Sequence, residues 1–168
     1  MNALRILFGC GSAVVLAGCS SLGLFSGRGE ADRQGSETAG TAEGEGVVLR
    51  PLHDASLPKG ECGMILWTLD EERPVPVFRY LSGKTAQIVV NATPLALTRV
   101  EANGAASFGV AENQIFQGEN GLKATVAVRF SLGFDGGSYL ERGLITLENA
   151  DGWRTVVPSA GLAGCRSK

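Results

Sequence analysis

The feature that most constrains the fold is a run of eleven residues, 122–132, in which apolar and polar side chains alternate. The even positions carry Leu, Ala, Val, Val, Phe and Leu, whereas the odd positions carry Lys, Thr, Ala, Arg and Ser. Successive side chains of a β-strand point to opposite faces, so this alternation predicts a strand with one buried and one solvated face. A helix would instead repeat its apolar positions at three- and four-residue spacing.

Turn-forming residues recur along the chain after Val47, at intervals of about 10 to 15 residues. They lie at Pro74 with Pro76, Ser82-Gly83, residues 91–94, Asn103-Gly104, Asn120-Gly121, residues 135–137, Asp151-Gly152 and residues 158–161. The segments between these turns are rich in β-branched and aromatic residues, and none has the pattern of an amphipathic helix. The sequence therefore predicts an all-β domain, either an antiparallel β-sandwich or a small closed barrel of about seven to nine strands.

Three segments carry more detailed signals. Residues 149–152 separate two apolar stretches, and the Asp-Gly pair within them favours a tight hairpin turn. Gly143 interrupts the strand before this turn and predicts a bulge. Residues 62–67 are apolar at nearly every position, so we expect a central strand that is buried on both faces.

The four cysteines fall into two groups. Cys10 and Cys19 lie in the first 19 residues, whereas Cys62 and Cys165 lie near the two ends of the predicted domain. In an oxidising compartment the second pair predicts a disulfide, which would bring the first core strand beside the last residues of the chain. A zinc site needs more thiols or histidines at short spacing and a redox site needs Cys-x-x-Cys, and the sequence has neither.

Residues 19–46 differ in composition from residues 47–168. Seven Gly and four Ser fall within residues 20–46, and no aromatic residue, Val, Ile or Leu lies between Phe25 and Val47. Such a segment buries too little apolar surface to offset its ordering entropy, so we expect a disordered Gly/Ser-rich tether. Residues 47–168 form the predicted domain and carry 12 basic and 12 acidic side chains. This neutral balance gives no basic surface and argues against a nucleic-acid partner.

The first 18 residues have the layout of a signal peptide. Arg5 is the only charged side chain among the first 27 residues, and short apolar stretches follow it. The sequence Leu16-Ala17-Gly18-Cys19 then resembles the lipobox of bacterial lipoproteins at all four positions. The resemblance implies cleavage before Cys19, a diacylglycerol thioether on its thiol and a second acylation on the new α-amino group. Because two or more acyl chains anchor a protein stably, the implied partner is a lipid bilayer.

Ser20 bears on where such a lipoprotein would be sent. A residue other than Asp after the lipidated cysteine resembles the outer-membrane signal in the sorting pattern of enteric lipoproteins. The implied location is therefore the cell envelope, at the outer membrane and facing the periplasm.

The sequence contains no recognisable catalytic motif. His53, the only histidine, lies beside Asp54 ahead of the first core strand, and no matching nucleophile motif or phosphate-binding Gly-rich loop occurs. Asp70, Glu71 and Glu72 are consecutive carboxylates before a proline, which we interpret as a solvated turn. We therefore expect no enzymatic activity, no cofactor and no metal ion.

Two segments could supply either core residues or the rim of a partner site. One is Phe78-Arg79-Tyr80, which places two aromatic rings on one face of a strand and an arginine on the other. The second comprises residues 113–117, in which amide side chains surround an Ile-Phe pair. In both segments we favour the core and turn interpretation.

Two functional hypotheses follow. The first is a non-catalytic binding or structural module of the envelope, with a protein or glycan partner. The second is an inhibitor of an extracellular hydrolase such as a lysozyme, because the layout is similar to that of the lipoprotein lysozyme inhibitors, which are small β-barrels with a disulfide near the domain ends. Their Ser-Gly-x-x-Tyr motif is absent, and the nearest sequence, Gly137-Ser138-Tyr139, does not match it.

Overall fold

The computed structural model describes residues 46–69 and 72–168, and every regular element within them is a β-strand. The strands are β1 (Leu49–Arg50), β2 (Cys62–Thr68), β3 (Pro76–Leu81), β4 (Thr85–Val90), β5 (Thr93–Ser107), β6 (Val110–Gly118), β7 (Lys123–Phe134), β8 (Gly137–Glu148) and β9 (Arg154–Cys165). These residues contain no helix that could cross a membrane. The predicted signal peptide, Cys19 and the tether through residue 45 lie outside the described residues.

The strands form a closed antiparallel barrel. From β2 to β9 each strand pairs with the next one in the chain, and β9 pairs back with β2, so eight strands close into an up-and-down barrel. β1 is a ninth, short strand that pairs with β4. The predicted all-β fold is confirmed, and of the two predicted architectures the chain adopts the barrel.

Side chains fill the interior of the barrel. Phe78 and Tyr80 are fully buried and meet the ring of Phe116 edge to face, with ring centroids 5.3 and 5.2 Å apart. Fully buried aliphatic side chains surround the three rings: Met64, Leu66, Ile88, Leu97, Leu140, Ile145 and Leu147. Eight strands enclose a space just wide enough for such a core, so the apolar surface whose burial stabilises the fold lies mainly inside the barrel.

Alternation predicts most of β7 correctly. Ala124, Val126 and Val128 point inward and are buried, whereas Leu132, which the same pattern predicts to be buried, is 76% exposed. The register between β7 and β8 shifts after Phe130, so a bulge ends the alternation before it reaches Leu132.

The hairpin between β8 and β9 forms at residues 149–153, as the turn residues predict. The register between these two strands shifts between Leu140 and Gly143, which confirms the predicted bulge. Arg142 lies in this irregular stretch with a φ of 52°, a conformation that is strained for a residue with a side chain.

The predicted turn at Asn103-Gly104 is wrong. Both residues lie inside β5, where the pairing with β6 shifts between Asn103 and Ala106. Gly104 has a φ of 87° there, which glycine adopts readily, so this residue allows a bulge inside the long β5–β6 hairpin. The chain reverses instead at Phe108-Gly109, where both residues have positive φ values. A bulge and a turn use the same residue types, which is why the sequence pattern misplaced the reversal.

The two ends of the barrel are closed differently. At the Phe108 end, the tip of the β5–β6 hairpin returns so closely to the β3–β4 turn that a Cβ on Gly109 would lie 1.6 Å from Ser82 Oγ. Phe108 packs against the core there, and Val110 is fully buried. At the Val47 end, the chain ahead of β1 covers the core through Val47, whose carbonyl accepts a 2.6 Å hydrogen bond from Thr155.

Candidate binding face

A disulfide joins Cys62 and Cys165, as the sequence predicts. The two residues lie directly opposite each other in β2 and β9 although they are 103 positions apart in the chain. The bond therefore ties the first and last strands of the barrel together at the Phe108 end. The predicted lipidation site, Cys19, lies outside the described residues.

His53 and Asp54 lie in an exposed segment between β1 and β2. The backbone N–H and the hydroxyl of Ser56 donate to Asp54 Oδ1 at 3.0 and 2.8 Å, and Arg79 forms a 3.7 Å ion pair with the same carboxylate. These hydrogen bonds, together with the charge of Arg79, hold the pKa of Asp54 below its ordinary value. Arg79 also donates to the carbonyl oxygen of Ser56 at 2.9 Å, so this cluster fastens the segment to β3.

The acidic residues that the sequence singles out do not form a site in the described residues. Asp70 and Glu71 lie outside these residues, and Glu72 is exposed. Asp135 and Asp151 are exposed in turns that contain glycine. Among residues 46–69 and 72–168, no three His, Cys, Asp or Glu side chains are grouped so that they could hold a metal ion.

Phe78-Arg79-Tyr80 contributes to the core, as we favoured from the sequence. Both rings are fully buried inside the barrel, whereas the side chain of Arg79 lies outside and is 13% exposed. Its guanidinium also donates to Gln87 on the neighbouring strand β4. The two rings therefore pack in the core, and Arg79 binds groups of the same chain.

Residues 113–117 lie in β6, where Gln114 and Phe116 point into the core, but the polar cluster that Gln114 forms at the Phe108 end was not predicted. Gln114 lies inside the barrel and is 1% exposed, and its Oε1 accepts a 3.0 Å hydrogen bond from Arg99. Arg99 also donates to the carbonyl oxygen of Gly109 at 2.8 Å, and its guanidinium lies 5.1 Å from the centre of the Tyr80 ring. One arginine thus joins the tip of the hairpin to the core.

The outward side chains of β2, β8 and β9, together with the end of β7, form an apolar surface that we call the outer face. It consists of Ile65, Trp67, Phe134, Tyr139 and Leu162. Strand register places Ile65 opposite Leu162 and Leu162 opposite Tyr139, so these three lie in one row across neighbouring strands. Phe134 and Tyr139 are 43% and 50% exposed. A barrel has a single layer, so no second sheet covers the outer face.

Two shallow grooves lie along the outer face and share Leu162 as a wall. The first has a volume of about 240 Å³ and includes Ile65 and Phe134 in its lining. The second has a volume of about 410 Å³ and includes Trp67 and Tyr139. Both are mostly apolar, and each is of a size to accept single side chains of a partner.

Phe134 and Tyr139 hold each other in place. Their rings pack edge to face with centroids 5.2 Å apart, across the turn between β7 and β8. A Cβ on Gly137 would lie 2.3 Å from the ring of Phe134, so only glycine permits this packing. Two aromatic rings are therefore presented to solvent in a fixed orientation, which lowers the entropy cost of a contact with a partner.

The apolar residues of β2 are the part of the sequence that indicates the outer face. Residues 62–67 were expected to be buried on both faces, but only Met64 and Leu66 point into the barrel, where both are fully buried. Ile65 and Trp67 point outward and remain partly exposed. Interior and exterior side chains alternate along every strand of a barrel, so a strand that is apolar at both sets of positions presents an apolar face to the outside.

No protein-family model matches the chain, and no curated protein or solved structure matches it either. The outer face is accordingly defined by the geometry of its own strands.

Proposed function

We propose that this chain is a bacterial envelope lipoprotein whose barrel is a non-catalytic binding module, and that the outer face binds a protein partner. The observation that carries the proposal is the exposure of Phe134 and Tyr139 beside two apolar grooves. Contiguous apolar patches on soluble domains mark interaction sites because their exposure to water is unfavourable.

The chemistry of the outer face suits a protein ligand. Tyr and Trp dominate the energetically important positions of protein interfaces, and Tyr139 and Trp67 line the same groove. Asp135 and Arg166 line the other groove and supply opposite charges beside the apolar surface. An apolar centre with a polar rim is the usual anatomy of a protein interface.

The packed interior supports binding on the outside of the barrel. Barrels that carry small ligands hold them in the mouth or in the interior, but here three aromatic rings occupy the middle. At the Phe108 end, the hairpin tip and Arg99 cover the core. The outer face is reached without moving any of these groups.

The anchor in this proposal depends on Leu16-Ala17-Gly18-Cys19 and on Ser20. Acyl chains on Cys19 would hold the chain at the outer membrane on its periplasmic side, with the tether between the membrane and the barrel. We expect Cys19→Ser to abolish labelling by radioactive palmitate and retention in the membrane fraction. Labelling that survives this substitution would contradict the anchor.

Binding through the outer face can be tested by photo-crosslinking in cells. We expect a photoreactive residue at position 139 or 162 to give a discrete protein adduct. The same residue at Val100, which is 53% exposed on β5, is the matched control and should give none. Equal adducts at positions 139 and 100 would contradict the proposal. An adduct that a glycosidase removes would identify a glycan as the partner.

A second candidate function, inhibition of an extracellular hydrolase such as a lysozyme, is favoured by one observation. The domain is a closed barrel whose first and last strands are joined by a disulfide, which is the layout of the lipoprotein lysozyme inhibitors. Titration of a lysozyme with the exported protein tests it. Stoichiometric loss of lysozyme activity would support this function, and full activity in an excess of the protein would eliminate it.

A further inference from the structure

A second group of exposed apolar side chains surrounds the Val47 end of the barrel, and we call it the end patch. It consists of Val48, Leu69, Trp153 and Val156, which are 44%, 53%, 51% and 49% exposed. Leu69 also lines the second groove of the outer face, so the two surfaces meet at this residue. Two hydrogen bonds place these residues at one end, because Thr155 binds the carbonyl of Val47 and the Leu69 N–H binds the carbonyl of Pro158 on β9.

The end patch lies where the described chain begins. Val48 forms two hydrogen bonds with Asn91 in the β4–β5 turn, which fixes the start of the barrel chain at this end. Only residues 20–45 separate it from Cys19. The composition of this segment predicts a flexible tether, and a coil of this length would span roughly 30 Å, so an anchored barrel would stay within reach of the bilayer.

We propose that the end patch rests on the lipid surface to which Cys19 anchors the chain, with Trp153 and Val48 in the interfacial layer. This inference rests on the lipoprotein anchor of the proposed function. It adds a second membrane contact and fixes which end of the barrel faces the membrane.

The chemistry of the end patch suits a lipid interface. Tryptophan is enriched at the boundary between headgroups and acyl chains, because its ring is apolar and its N–H can be hydrated. Arg50 and Arg154 are close to the end patch in the chain, and so are Asp151 and the three carboxylates at positions 70–72, which directly follow Leu69. Glu148 forms a 3.1 Å ion pair with Lys123. Charges of both signs predict that the contact forms on zwitterionic lipid and does not require anionic lipid.

The orientation has a consequence for the outer face. β8 contains 12 residues and runs from the Phe108 end to the Val47 end. At about 3.3 Å per residue and a tilt of about 40°, it separates the two ends by roughly 30 Å. With the Val47 end on the membrane, Phe134 and Tyr139 would lie near the end of the barrel that is far from the bilayer, where a periplasmic partner can reach them.

Tryptophan fluorescence tests the contact directly. The chain has two tryptophans, so Trp67→Phe leaves Trp153 as the only one. The lipidated full-length variant is placed in phosphatidylcholine vesicles with or without bromine on the acyl chains, and bromine quenches tryptophan only at short range. We expect Trp153 emission to shift to the blue on vesicles and to be lost in the brominated ones.

The matched control reports the opposite end. Tyr139→Trp, made together with Trp67→Phe and Trp153→Phe, places the only tryptophan on the outer face, and its emission should not change with bromination. Equal emission of Trp153 in both types of vesicle would overturn the inference and assign the end patch to a protein interface. Quenching at both positions would also overturn it, because the barrel would then lie on its side.

The two proposals can fail separately. Flotation of the chain with the vesicles measures the lipid anchor, whereas quenching measures the contact of the barrel. A chain that floats without quenching of Trp153 retains the proposed anchor and contradicts the further inference alone. A chain that does not float contradicts the anchor.

Discussion

The two ends of the barrel are closed by different means. The Phe108 end is closed by a single hairpin, held by hydrogen bonds from Arg99 and covalently supported by the disulfide between β2 and β9. The Val47 end is closed by the lead-in chain, whose Val47 carbonyl is held by Thr155, 108 residues away in sequence. Hairpin contacts form locally, whereas the Val47 closure orders the segment ahead of β1 through a contact between residues 108 positions apart. We therefore expect the Val47 end to open first.

The largest effect should follow loss of the disulfide. We expect Cys62→Ser combined with Cys165→Ser to lower the free energy of unfolding by about 2–5 kcal/mol, because the bond closes a loop of 103 residues in the unfolded chain. The shift of the urea midpoint measures this change. An unchanged midpoint would mean that hydrogen bonds between β2 and β9 hold the barrel closed without covalent help.

A smaller effect should follow loss of the arginine that holds the hairpin. Arg99→Met should cost about 1–3 kcal/mol, because Gln114 Oε1 would be buried without a donor. Amide hydrogen exchange should increase at Gly109 and Val110 and stay slow at Val48. The control is Arg129→Met, an exposed arginine on β7, which should leave both regions unchanged. Equal exchange rates in the two variants would mean that Arg99 does not help to close the Phe108 end.

A substitution at the Val47 end should lower the free energy of unfolding by a smaller amount. Thr155→Val should cost about 0.5–1.5 kcal/mol, since it removes one hydrogen bond of 2.6 Å. Exchange should become faster at Val48, while Gly109 keeps the rate of the unmodified protein. Thr125→Val on β7 is the control for the change in side chain. Faster exchange at Gly109 in Thr155→Val would contradict the independence of the two ends.

The smallest effect should be a pH dependence of the lead-in segment. The pKa of Asp54 is lowered in the folded chain, mainly by the hydrogen bonds from Ser56. The unfolded chain then binds more protons in the titration range, so the stabilisation by Asp54 is present above its ordinary pKa and is lost as the pH falls through the lowered value.

Asp54→Asn should therefore unfold with a weaker acid dependence than the unmodified chain, and the two should converge at low pH. Urea unfolding as a function of pH measures the difference. Asp135→Asn, in a turn at the Phe108 end, is the matched control and should follow the unmodified chain. A difference between Asp54→Asn and the unmodified chain that is constant down to low pH would contradict this assignment.

The sequence predicted those parts of the fold that depend on local patterns. Alternation identified β7 as far as Phe130, the Asp-Gly pair identified the β8–β9 turn, and Gly143 marked a bulge. Local patterns failed where a bulge changes the count of residues, at Leu132 and at Asn103-Gly104. The turn predicted at residues 158–161 is also wrong, because these residues lie inside β9. The choice between sandwich and barrel depends on whether β2 pairs with β9, and no local pattern encodes a pairing between residues such as Cys62 and Cys165 that are 103 positions apart.

The candidate site was less predictable than the fold. The disulfide followed from cysteine positions, but the row of Ile65, Leu162 and Tyr139 depends on the register of β2 against the β8–β9 hairpin, which is distant from β2 in sequence. Large aromatic side chains such as those of Phe134 and Tyr139 are usually well buried, and their residue types alone do not predict an exposed pair. The position of a turn and one glycine, Gly137, place both rings at the surface.

Hydroxyl-radical footprinting of the unmodified chain tests most directly whether the outer face is bound in the cell. Oxidation of Tyr139 and Phe134 is compared between intact envelopes and the purified protein, with the exposed His53 as the internal reference. We expect both aromatic residues to be protected in the envelope relative to the purified protein, while His53 is oxidised equally. Equal oxidation of Tyr139 and Phe134 in both preparations would contradict a bound outer face.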